Sequence, residues 1–114
     1  MHQTLQAAAK KCCPIFVIEH YAPFVKAPDE PDAYFNLPPE KRKELLAAFE
    51  RCGVVAVLAG HTHTTTTNQY GRIQIVTSET TSNNFDKRPY GFRVWHVSPD
   101  GAFRHEFVPL HGQQ

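Results

Sequence analysis

The stretch Val54-Val55-Ala56-Val57-Leu58-Ala59-Gly60-His61-Thr62-His63 decides the fold of this 114-residue chain. Its first five residues are apolar and three of them are β-branched, which favours a strand buried on both faces, as in a parallel sheet. Gly60 then allows the backbone to turn tightly. In an extended segment residues i and i+2 point to the same side, so His61 and His63 would face one point. Two imidazoles that converge in this way are typical metal ligands.

A second buried strand is predicted upstream, at Ile15-Phe16-Val17-Ile18, and His20 follows it closely. A strand, a helix and a strand in this order form a βαβ unit, so the two strands should be parallel. Because parallel strands end at the same edge of a sheet, His20 would lie beside His61 and His63. The sequence therefore predicts a metal site of three imidazoles, His20, His61 and His63.

The helix of this unit is predicted over Pro38–Cys52. Apolar residues recur with helical spacing on one face of this segment, and charged residues fill the opposite face. Asn36 is the expected N-cap, the two prolines suit the first turn, and Gly53 suits the left-handed position that ends a helix. The preceding segment, Val25–Phe35, is rich in Pro, Asp and Ala, which indicates an exposed loop.

Beyond the paired histidines the sequence predicts antiparallel strands. Arg72–Thr77 alternates in polarity, and Tyr90–Val97 and Ala102–Val108 flank a tight turn, as a β-hairpin requires. His96 and His105 fall inside this hairpin. We expect both of them to lie on the surface or edge of the sheet and not to bind metal.

Composition limits the function classes. The length fits a single domain over residues 1–114, and a hydrophobic content of 41% with 20% charged residues is typical of a globular fold. A net charge of +1 with no long basic block argues against nucleic acid or a membrane surface as a partner. The three cysteines lack the spacing of a zinc finger, so reduced thiols and a cytoplasmic location are expected.

Several segments resemble the calcineurin-like metallophosphoesterases. Gly60-His61-Thr62-His63 after an apolar strand looks like the last motif of that family, and Phe16-Val17-Ile18-Glu19-His20 before Pro23 looks like the preceding one. Tyr34-Phe35-Asn36-Leu37 is similar to the branch described as calcineurin-like phosphoesterase domain-containing serine/threonine phosphatases. The similarity extends over about Thr4–Val108, which is nearly the whole chain.

The resemblance implies an α/β fold, part of a four-layer α-β-β-α sandwich in which a βαβ unit is followed by antiparallel strands. It also implies a site for two divalent metal ions, with His20 and His61 on one ion and His63 on the other. Such a pair of ions clamps a phosphoryl group and supplies an activated hydroxide, so the implied function is hydrolysis of a phosphate ester, including one on a phosphoprotein. Imidazole ligands do not distinguish manganese, zinc and iron, and neither a catalytic nor a substrate-binding residue is predicted.

The chain also departs from this family. Members carry three upstream motifs, Asp-x-His, Gly-Asp and Gly-Asn-His followed by Asp or Glu, and none of these occurs in residues 1–114. They supply the carboxylate that bridges the two metal ions. We therefore expect a C-terminal portion of a phosphoesterase domain, inactive or weakly active alone. Its uncovered sheet would favour a homodimer or a domain swap.

Two alternatives remain open, a mononuclear site of three histidines and an interaction module without catalysis that associates with itself. Two other metal-binding folds fit the sequence less well. A cupin places His-x-His in an all-β barrel, which the helix Pro38–Cys52 disfavours. A metallo-β-lactamase has His-x-His-x-Asp-His, and Thr65 and Thr66 stand at its last two positions here.

Overall fold

A computed structural model describes residues 1–111, which form two helices and two β-sheets. No helix in this part of the chain is long and apolar enough to cross a lipid bilayer. The elements are α1 (His2–Ala9), β1 (Ile15–Ile18), α2 (Pro39–Cys52), β2 (Val54–Ala59), β3 (Thr66–Tyr70), β4 (Ile73–Thr77), β5 (Gly91–Val97) and β6 (Phe103–Pro109).

The larger sheet has the strand order β1-β2-β4-β3. β1 and β2 are parallel, with Ile18 opposite Leu58, so the predicted βαβ unit is confirmed. β2 and β4 are also parallel, and β3 runs antiparallel to β4. The carboxyl ends of β1, β2 and β4 consequently meet at one edge of this sheet.

Both helices contribute to a single apolar core with the larger sheet. The apolar face of α2 is buried through Leu45, Leu46 and Phe49, as its spacing predicts. These side chains belong to one buried cluster with Leu5 of α1 and Val57 of β2. Gly53 ends α2 in the left-handed conformation, at φ +75°. Burial of this cluster therefore fixes the helix against the strands that lead to the histidines.

The smaller sheet is the antiparallel hairpin of β5 and β6. The ring of Phe16 on β1 contacts Trp95 and Phe103, with centroid separations of 6.2 and 5.2 Å, which joins the two sheets. The fold is thus mixed α/β with a βαβ unit followed by antiparallel strands, as predicted. His96 pairs with Glu106 on the hairpin surface.

Asn36 does not cap α2, so that prediction was wrong. The helix begins after Pro38, and its N-cap makes no side-chain hydrogen bond. Asn36 instead accepts a hydrogen bond from the Ala33 amide at 2.9 Å and donates to the Glu30 carboxylate at 2.9 Å. Its side chain folds back because the loop before the helix offers hydrogen-bond partners, which the pattern of capping residues does not reveal.

Candidate metal centre

Main-chain hydrogen bonds extend the pairing of β1 and β2 as far as the histidines. The amide of Glu19 donates to the oxygen of Leu58 at 3.0 Å. One step further, the amide of Gly60 donates to the oxygen of His20 at 3.1 Å. His20 and His61 therefore leave the sheet side by side, although 41 residues separate them in sequence.

The imidazoles of His20 and His61 face each other. Nε2 of His20 lies 3.0 Å from Nδ1 of His61, and the ring centroids are 4.8 Å apart. Two nitrogens on one tetrahedral zinc ion, with bonds of 2.0–2.1 Å, would be about 3.3 Å apart. The contact is a hydrogen bond in which one ring donates an N–H to the other, and its length is close to the spacing of two nitrogens on one metal ion.

The turn that carries the histidines differs from the prediction. Gly60 does not take a positive φ, whereas His61 and His63 do, at +69° and +53°. Gly60 is still held in the strand pairing, so the chain turns only at the next residue. A positive φ is uncommon for a residue with a side chain, although histidine adopts it more readily than most residues.

His63 faces a different neighbourhood from His61 because the turn is coiled and not extended. Its Nδ1 lies 2.7 Å from the main-chain oxygen of Asn83, and its ring stacks on Phe85 with a centroid separation of 5.0 Å. A carbonyl oxygen only accepts hydrogen bonds, so Nδ1 carries the proton. Nε2 of the neutral ring then keeps its lone pair, which is the usual preparation of a metal-binding histidine.

The side chains of His20, His61 and His63 fit a metal ion only in part. Within residues 1–111, no three or more His, Cys, Asp or Glu side chains form a group that could hold a metal. The structure brings His20 and His61 together but does not include His63 in their contact. Nε2 of His61 is buried and has no hydrogen-bond partner among these residues. Metal binding by His20, His61 and His63 stays a prediction.

Three aromatic side chains surround the His61 ring, and sequence reasoning did not identify them as part of the site. The ring centroids of Tyr21, Tyr34 and Phe35 lie 3.9, 5.2 and 5.5 Å from that of His61. Tyr34 and Phe35 come from the loop before α2. The resemblance of their segment to a phosphatase branch was the only signal in the sequence.

Glu19, which directly precedes His20 in the sequence, has a buried carboxyl oxygen. Oε1 of Glu19 is buried without a hydrogen-bond partner among the described residues, and desolvation raises the pKa of Glu19 to about 7. Burial disfavours the charged carboxylate, which explains the direction of this shift. The carboxyl group of Glu19 is therefore partly shielded from water.

The chain is similar in sequence to several known proteins. No protein-family model matches the chain. It is 35% identical over 88 residues to a protein of Rattus norvegicus, a match that covers 77% of the chain and 28% of the relative. A protein of Bos taurus is 32% identical over 111 residues, covering 96% of the chain and 35% of that relative. A protein of Danio rerio is 34% identical over 80 residues, covering 70% and 26%.

The chain belongs to the calcineurin-like phosphoesterase family. Each of these relatives is named serine/threonine-protein phosphatase CPPED1, and phosphatases are hydrolases. The matches span between 26% and 35% of the relatives' own length, so the chain corresponds to about a third of them.

Proposed function

We propose that this chain forms part of the active centre of a metal-dependent phosphoesterase. The observation that carries the proposal is the 3.0 Å contact between His20 and His61 at the ends of two parallel strands. Family membership supplies the class of reaction, which is hydrolysis of a phosphate ester. The names of the relatives favour phosphoserine or phosphothreonine in a protein as the substrate.

The three histidines have distinct proposed roles. His20 and His61 would share one divalent ion, because their nitrogens already face each other. His63 would bind a second ion through Nε2, since its Nδ1 proton is held by the oxygen of Asn83. Bound metal ions would orient the phosphoryl group and lower the pKa of a bound water. The hydrogen bond to Asn83 would keep the imidazole of His63 correctly oriented for this task.

Residues 1–114 alone should hydrolyse phosphate esters weakly or not at all. They contain none of the upstream carboxylate motifs that the family uses to hold two metal ions together. Two dications in one site repel each other strongly unless anionic ligands offset their charge.

The thiols of the described residues are free, which suits a reducing compartment such as the cytoplasm.

Metal titration tests this proposal. Hydrolysis of p-nitrophenyl phosphate tests the expectation that residues 1–114 alone are weakly active or inactive. We expect wild-type protein to bind Zn²⁺ or Mn²⁺ in a calorimeter and His61→Ala to bind at least tenfold more weakly. His96→Ala is the matched control, since His96 pairs with Glu106 on the other sheet. Absence of metal binding by wild-type protein, or equal binding by His61→Ala, would contradict the proposal.

A second candidate function is self-association. β1 is an edge strand of the larger sheet, and its last residue, Ile18, is 82% exposed. Exposed apolar side chains on a strand edge favour pairing with another chain. Light scattering over a range of protein concentrations should show a dimer that Ile18→Lys disrupts. A monomer at every concentration would exclude this function.

A further inference from the structure

The loop between β1 and α2 is held by a buried arginine. Arg42 is only 1% exposed, and its guanidinium lies inside the bend of the loop. It donates hydrogen bonds to the main-chain oxygens of Pro23 and Pro28, both at 3.0 Å, and to those of Glu30 and Leu37, at 2.6 and 2.7 Å. Four carbonyls along 15 residues are thus fixed to one side chain of α2.

A second set of contacts fixes the middle of the same loop. The carboxylate of Glu30 accepts hydrogen bonds from the amides of Val25, Lys26 and Ala27, at 2.6, 2.9 and 3.2 Å. The side-chain amide of Asn36 donates to the same carboxylate at 2.9 Å. A loop with this many internal bonds is preorganised, so its exposed side chains lose little entropy on binding a ligand.

This framework presents two aromatic rings beside the histidine pair. Tyr34 is 73% exposed, yet its ring centroid lies 5.2 Å from that of His61. Phe35 packs edge-on against Tyr34 at 5.0 Å and also contacts His61. A large aromatic ring held in solvent by a rigid loop contributes little to the core. Its position suits contact with a ligand that reaches the histidines.

We propose that Tyr34 and Phe35 form a specificity wall that binds an apolar side chain two residues from the phosphorylated residue of a peptide substrate. This inference rests on the proposed function. Side chains two residues apart in an extended peptide point to the same side and lie about 6.6 to 6.8 Å apart along the chain, so such a side chain would reach a ring about 5 Å from His61. The rings carry no charge and favour an apolar or aromatic neighbour over a polar one.

Binding of labelled phosphoserine peptides in the presence of Zn²⁺, measured by fluorescence anisotropy, tests the specificity wall. One peptide has phenylalanine two residues from phosphoserine, the second has glycine there, and unphosphorylated forms of both serve as controls. We expect wild-type protein to bind the phenylalanine peptide about three- to tenfold more tightly than the glycine peptide. Tyr34→Ala should remove this preference, whereas Tyr34→Phe should keep it. Phe92→Ala, which removes a 45% exposed aromatic ring on the smaller sheet, should also keep it.

The outcomes separate the two proposals. Phosphate-dependent binding without a preference, or a preference that survives in Tyr34→Ala, would overturn the specificity wall and leave the proposed function standing. Equal binding of the phosphorylated and unphosphorylated peptides would overturn the proposed function and the specificity wall together. Because Tyr34 is exposed, its replacement should leave the unfolding transition unchanged, and circular dichroism checks this directly.

Discussion

Nδ1 of His63 lies 2.7 Å from the main-chain oxygen of Asn83, so the histidine turn after β2 is bonded to the loop after β4. Phe85 in that loop stacks on the same imidazole at an interplanar angle of 19°. The orientation of His63 is therefore set by a neighbouring segment and not by its own strand. Partners of this kind commonly tune the affinity of a metal-binding histidine.

Removal of the Phe85 ring should weaken metal binding without unfolding the protein. Phe85 is exposed, so Phe85→Ala leaves no large cavity, but it removes one of the two contacts that orient the His63 ring. Loss of such an orienting partner typically costs about 10-fold or more in metal affinity. Calorimetric titration with Zn²⁺ measures the effect, and Phe92→Ala is the control. Equal affinities in wild-type protein and Phe85→Ala would show that the stacking does not orient His63.

Arg42→Lys should destabilise the protein by about 2 to 3 kcal/mol, because a lysine ammonium cannot reach four carbonyl oxygens that surround a planar guanidinium. Several buried acceptors would lose their donor. Urea unfolding followed by circular dichroism measures the change in the free energy of unfolding. The exposed Arg51→Lys is the matched control and should change it by less than about 0.5 kcal/mol. A similar small change in Arg42→Lys would mean that the loop does not depend on the arginine.

Glu30 should make stability fall in acid. Burial alone would raise the pKa of Glu30, but hydrogen bonds from the Val25 amide, the Asn36 side chain and two further amides outweigh it and lower the pKa below 4.5. The stabilisation is therefore present above pH 4.5 and is lost as the pH falls through the folded-state pKa. Glu30→Gln should be less stable by about 1 kcal/mol at pH 7 and lose less stability in acid than wild-type protein. Parallel pH curves of urea midpoints would contradict this.

A buried ion pair joins the loop after β4 to the hairpin. The carboxylate of Glu79 is 1% exposed and receives two hydrogen bonds from Arg93, one of them short. Burial alone would raise the pKa of Glu79, but the hydrogen bond and charge of Arg93 lower it. Arg93→Met would leave this carboxylate buried with only the exposed Arg88, at a cost of about 2 to 4 kcal/mol.

A double variant tests why Arg93→Met loses stability. Arg93→Met with Glu79→Gln removes the uncompensated charge, so thermal unfolding should show partial recovery compared with Arg93→Met alone. An additive loss in the double variant would show that the two side chains act independently.

The strands and helices could be predicted because their signals are local. The apolar runs at Ile15–Ile18 and Val54–Leu58 are strands, and the periodic segment ending at Cys52 is a helix. The convergence of His20 and His61 followed from the parallel order of two strands, which one helix between them determines. Each of these steps uses only nearby residues and one rule of topology.

The details of the site could not be predicted because they depend on contacts between distant segments. The orientation of His63 requires Asn83 and Phe85, which lie in a loop with no regular pattern. Arg42 has the helical spacing of the buried face, three, four and seven residues before Leu45, Leu46 and Phe49, but the charge of an arginine favours the opposite prediction, an exposed side chain. The position of Tyr34 against His61 depends on this buried arginine. This position was therefore not predicted from the sequence either.

Nuclear magnetic resonance of the imidazole rings during a Zn²⁺ titration tests the central claim most directly. If the carboxyl ends of β1 and β2 form a metal centre, the ring signals of His20, His61 and His63 will shift together. The signals of His96 and His105 on the hairpin will stay in place. Unchanged signals from His20 and His61 at saturating Zn²⁺, or equal shifts of all five rings, would contradict the claim.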